Sequence, residues 1–156
     1  MATTISPATL VVTLTEAITL SGVVQGATNV LSITSVTEIS KRIVNIPTTE
    51  VEIIAFAATN PAAGTFVEAD VRYIRITNLD DTNHVTLTFK NEDIDEFAVK
   101  LDKGQSFIYN GDLAGGVVNT FDADSGALTV SLADLVNITA LADTAACDLE
   151  IFVAGT

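Results

Sequence analysis

The chain has 156 residues, 48% of them hydrophobic, and its seven Lys and Arg face twenty Asp and Glu for a net charge of −13. That length suits one domain with a real core, and the wealth of Val, Ile and Thr excludes a disordered chain. No apolar run reaches the roughly 18 residues of a membrane helix, and an acidic chain lacks the clustered cations that phosphates need, so neither membrane nor nucleic acid is expected as a partner.

The predicted elements alternate apolar and polar residues, the period of two that places successive side chains on opposite sheet faces. Pro7 marks residues 1–7 as extended chain, and Thr9 to Thr15 reads as a strand with Leu10, Val12 and Leu14 on one face. Ser21-Gly22 and Gln25-Gly26 are turn signals, and Thr28 to Thr34 is a second strand. Residues 1–40 hold neither Lys nor Arg. They are read either as an arm or strand pair that packs on a neighbouring subunit, or as the first strands of a single domain spanning 1–156. Ser40 to Ile46 is a strand stopped by Pro47, and Glu50 to Ala57 reads as a strand buried on both faces. Breakers then fill Asn60 to Gly64.

Val71 to Thr77 and His84 to Lys90 flank the polar stretch 78–83, a pattern that predicts a hairpin. An acidic turn, 92–95, precedes a strand through Phe97, Val99 and Leu101, and Gln105 to Tyr109 forms another. Short strands are expected near 117–121 and 128–132. The stretch 132–141 suits a strand or one or two helical turns, and Cys147 to Val153 is a last strand. Ten to twelve strands at this spacing make the fold class all-β, an antiparallel β-sandwich or jelly roll.

The chemistry-bearing residues are few. His84 is the single histidine and Cys147 the single cysteine, too few for a catalytic triad or a zinc site. Cys147 lies on the apolar side of its strand and reads as a core residue; no intrachain disulfide is possible. Asp122-Ala123-Asp124-Ser125-Gly126 begins like a calcium loop, but Ala133 stands where the bidentate Glu belongs. It reads as an acidic turn, as does the carboxylate cluster at 92–96, with interfacial calcium as the alternative for either. Sugar-binding platforms favour exposed aromatics, and the chain has no Trp and only Tyr73 and Tyr109. Arg72 and Arg75 flank Tyr73 and Ile74; a cross-strand ion pair is the structural reading and a subunit contact the other. No catalytic, cofactor-binding or metal-binding residue is assigned, no cofactor is expected, and the chain is read as not an enzyme. Met1 to Leu14 carries no basic region and Glu16 follows, so no signal peptide is read and synthesis in a cytoplasm is expected.

Val71-Arg72-Tyr73-Ile74-Arg75-Ile76-Thr77-Asn78-Leu79-Asp80, followed by Phe97 to Phe107 with its Leu101-Asp102-Lys103-Gly104-Gln105-Ser106-Phe107, resembles small virion structural proteins of tailed bacteriophages, marine and cyanobacterial ones in particular. The resemblance covers about a third of the chain, residues 71–107, and rests largely on turn chemistry. It implies a non-enzymatic β-sandwich that assembles symmetrically on a virus particle. The resulting expectation is a capsid decoration, or cement, protein: a homotrimer bridging capsomers by binding the major capsid protein of a phage head, located on the capsid surface. A tail, neck or fibre component and a carbohydrate-binding or adhesive module are the alternatives.

Overall fold

The computed structural model describes residues 4–59, 62–93, 95–111, 116–119 and 133–156. Among these residues the chain is all-β, with fourteen strands and no helix. Two compact units divide it, Met1–Glu38 (with Thr156) and Ile39–Gly155.

The first unit contains β1 (Ala8–Thr15), β2 (Thr19–Leu20), β3 (Val23–Val24) and β4 (Thr28–Val36). Pairing is antiparallel, β1 with β4 and β2 with β3. The second unit starts with β5 (Glu38–Ile46), β6 (Val51–Ala57), β7 (Thr65–Val67), β8 (Val71–Asn78) and β9 (Val85–Asn91). It continues with β10 (Glu96–Leu101), β11 (Ser106–Asn110), β12 (Val118–Asn119), β13 (Ala133–Ala142) and β14 (Cys147–Gly155). One sheet runs β10-β9-β13-β6-β7 with β12 on β13, and the other runs β11-β8-β14-β5. Apart from the parallel pair β6–β7, their described ladders are antiparallel.

The two sheets form a β-sandwich because alternate residues of each strand are apolar and meet across one core. Val85, Leu87 and Phe89 of β9 and Ile54 and Phe56 of β6 face Ile74 and Ile76 of β8 and Cys147, Leu149, Ile151 and Val153 of β14. Phe89 is fully buried and holds the aromatic part of that core. Its ring stacks on Phe97 at 4.7 Å and lies 4.9 Å from Phe107, so edge strands of both sheets reach it.

Three expectations are corrected. Val71–Thr77 and His84–Lys90 do not form a hairpin: β8 pairs with β11 and β14, β9 with β10 and β13, and the segment between them crosses from one sheet to the other. Gln25-Gly26 is no turn but part of the extended chain between β3 and β4. Of the two readings of 132–141, the strand is the observed one, as β13. Among the short strands expected at 117–121 and 128–132, Val118–Asn119 is described as β12. Residues 120–132, with Asp122 and Asp124, lie outside the described residues.

Glu50 to Ala57 is not buried on both faces, since Glu50 and Glu52 are exposed; the burial of the adjacent pair Ile53 and Ile54 has a local cause. Ile138 pairs with Ile54 and Thr139 with Glu52, so Ile53 is the extra residue of a β-bulge, and Ile53 and Ile54 are both buried.

Candidate functional site

The surface with the most unusual chemistry is the two-stranded ribbon of the first unit. From Leu10 onward its register is continuous: Leu10 pairs with Ile33, Thr15 with Thr28, and Leu20 with Val23, with a shift only between Ala8 and Leu10. Between the named strands, Glu16 N–H donates to Ala27 O at 2.8 Å and Gln25 N–H to Ile18 O at 2.9 Å, which carries the ladder through. Ser21 and Gly22 close the tip with φ of 52° and 80°, two successive left-handed residues as a type I′ turn demands. Gly26 has a different task. A Cβ there would stand 2.0 Å from the Glu16 carbonyl oxygen, so only glycine allows the two backbones this approach.

The ribbon is apolar and largely uncharged. Glu16 is the one charged residue between 8 and 36. Among the described residues, fourteen large hydrophobics are exposed, and eight of them belong to this unit: Ile5, Val11, Leu14, Ile18, Leu20, Val23, Val24 and Val30. Their exposures run from 50% to 74%. Single exposed hydrophobics are ordinary on proteins, but a contiguous set marks a contact surface. A two-stranded ribbon by itself is also marginal in water.

The second unit is polar on its outer faces and pairs its charges there. On the four-stranded sheet, Glu150 of β14 accepts from Arg75 of β8 and lies 3.0 Å from Lys41 Nζ of β5. The Arg75 and then Lys41 hydrogen bonds hold its carboxyl below the ordinary value. This is the cross-strand ion pair expected for one of the two arginines; Arg72 instead donates to Ala69 O. On the six-stranded sheet, Glu50 accepts from Thr139 at 2.6 Å and from Lys90 at 2.9 Å, and both bonds lower its carboxyl in that order.

His84 Nδ1 lies 3.5 Å from Asp143 Oδ2 beside the loop after β8. Cys147 is fully buried in the core beneath it, and burial pushes its thiol up, away from the thiolate a nucleophile needs. Tyr73 is 4% exposed and Tyr109 is half-buried with its phenol pushed up to about 12 by burial, so neither ring offers a face for stacking sugars. In the 92–96 turn, Asn91 Oδ1 accepts the Asp95 N–H and Glu96 lies 3.8 Å from Lys90. Among the described residues no group of three or more His, Cys, Asp or Glu is placed to hold a metal ion.

Sequence reasoning pointed to the first forty residues through their lack of cations. It missed that Gly26 serves a close backbone approach, because a glycine next to a polar residue looks the same when it makes a turn.

No protein-family model matches the chain, and no curated protein matches it in sequence. Among solved structures, the chain is similar to one from Bacillus endospore appendages, described as forming "a novel family of disulfide-linked pili". The TM-score is 0.41 and the identity 14%, over 76% of this chain and 87% of that one.

Proposed function

We propose that this chain is a non-enzymatic structural protein of a virus particle, a decoration protein on the head of a tailed phage. The sandwich is its body and the ribbon of residues 8–36 is the element by which it joins an assembly. The observation that carries this reading is the exposed apolar ribbon, a surface with one charge on a chain of net charge −13. The resemblance of residues 71–107 to virion proteins supplies the setting. A decoration protein adds buried interface across joints between capsomers, and symmetry repeats that gain over the shell. The major capsid protein of the head is then its partner, with a homotrimer as the unit that binds.

The test is immunogold electron microscopy with antibody to this chain on particles purified from cells that make it. Gold over the heads supports the reading. Gold over tails or necks assigns the chain to the alternative, a tail, neck or fibre component. Particles without gold overturn both.

A further inference from the structure

We infer that the ribbon's partner is the same ribbon of another copy of this chain, packed apolar face to apolar face. The inference rests on the assembly reading above and names what the ribbon meets there.

Charge is the first argument. Twenty acidic residues against seven basic ones make two copies repel wherever their sandwich surfaces approach. The ribbon is the exception, because between residues 8 and 36 it carries Glu16 alone. A basic partner would find little to recognise on it, since electrostatic recognition needs charges of opposite sign on the two surfaces. Another copy's ribbon matches it in kind: apolar, extended and with Glu16 as its one charge.

Side-chain placement is the second. With an unbroken register from Leu10 to Leu20, alternation puts Leu14, Ile18 and Leu20 on one face, together with Val23 opposite Leu20, and Glu16 lies on that face between Leu14 and Ile18. Val24 and Val30 alternate to the other face, amid Thr13, Thr15 and Thr28. All six of these hydrophobics are exposed. Natural edges are guarded by Lys, Pro or inward charges, and β1 to β4 contain none of these. Of the sandwich edge strands, β5 and β10 carry Lys41, Arg42 and Lys100, whereas β7 and β11 carry none.

Area is the third. The pairs from Leu10 to Leu20 make a ribbon about 37 Å long and about 10 Å wide, or about 370 Å² for one face. A stable interface needs about 800 Å² on each partner. One face against one copy therefore falls short, whereas a ribbon that meets two other copies approaches the requirement. A closed ring of at least three copies comes nearer to it than a simple pair does.

The experiment is light scattering on a sizing column, on the wild-type chain and on the double variant Leu20→Glu/Val23→Glu. Both positions are exposed, so the variant is expected to keep the wild-type circular dichroism spectrum. A wild-type assembly larger than the 16.3 kDa chain that falls to monomer in the variant supports the inference. Raising salt screens repulsion between the acidic bodies, so the wild-type assembly is expected to tighten. A wild-type monomer overturns the inference, as does an assembly that the variant leaves intact or that salt dissolves. Monomers that bind neutral phosphatidylcholine vesicles would assign the ribbon to a lipid surface instead. These results are separable from the labelling of particles: a monomer on phage heads would leave the decoration reading standing and remove only this one.

Discussion

The side chain of Asn78 at the end of β8 donates to the carbonyl of Leu101 at the end of β10, 3.2 Å away and in the opposite sheet. The same amide donates to Asn83 O at 2.9 Å, and its oxygen accepts from the Asp80 N–H at 3.0 Å. The Asn78 backbone adds bonds to Gln105 and Gly104. One fully buried amide thus ties together the loop that crosses between the sheets and the turn that crosses back. Local side-chain bonds of this kind replace the ladder where the chain leaves a sheet.

Asn78→Ala is expected to destabilise the sandwich. Each partner left buried and unpaired costs roughly 1–3 kcal/mol. Asp80 keeps its bonds from the Thr82 and Asn83 N–H groups, so the loss is confined to the Asn78 contacts. Urea unfolding measures it: the midpoint falls while the slope stays at the wild-type value. An unchanged midpoint would show that water replaces the amide at no cost.

Acid is expected to weaken the four-stranded sheet through Glu150. Its folded carboxyl sits below the ordinary value of 4.5 because it accepts from Arg75 and Lys41. A lowered folded value means that the contribution is complete above the unfolded value and is lost as pH falls through the folded one. Glu150→Gln therefore lies below wild type in stability at pH 7, and the gap closes on the acid side of pH 4.5. Thermal melts of the two proteins from pH 7 to pH 2.5 provide the check. A gap that is constant with pH would show that the pair's charge is irrelevant.

Cys147 is expected to resist thiol reagents in the folded chain. Its sulfur is buried, its nearest polar contacts are the Ala145 and His84 carbonyls, and burial with nearby carboxylates raises its pKa. Labelling by a disulfide reagent at pH 8 should proceed at the rate set by opening of the sandwich and become fast in denaturant. Rapid labelling of the native chain would place the thiol at the surface.

Gly26→Ala is expected to break the ribbon locally. The new Cβ meets the Glu16 carbonyl, and relief of such overlap costs ~1–3 kcal/mol. Hydrogen exchange should show faster loss of the Glu16 and Gln25 amide protons, which bond across that stretch, with Leu87 in the sandwich core unaffected. Retained protection at Glu16 and Gln25 would mean that the ribbon adjusts freely.

Alternation made most strands legible, and β9 and β14 show why. Val85, Leu87 and Phe89, like Cys147, Leu149, Ile151 and Val153, are buried at every second position. The error over residues 71–90 has an equally plain cause. Two alternating strands around a polar loop look the same whether they pair with each other or enter facing sheets. The choice is made by β11, β13 and β14, which lie far along the chain. The ribbon was hidden for the converse reason: its strands alternate as buried strands do, and exposure leaves no mark on a period of two. What did show was its charge, a stretch from 8 to 36 with Glu16 alone.

The order of strands also sets when the sandwich can form during synthesis. β13 lies between β9 and β6, and β14 lies between β8 and β5, so the two strands made last are interior in both sheets. A ribosome that has released residues up to 130 has delivered the pairs β9–β10 and β8–β11, but not the strands that join them to β6 and β5. Completion of both sheets must wait until residue 155 has cleared the exit tunnel, and closing such distant contacts is slow. The ribbon, whose pairs all fall between residues 8 and 36, has its complete ladder long before that moment.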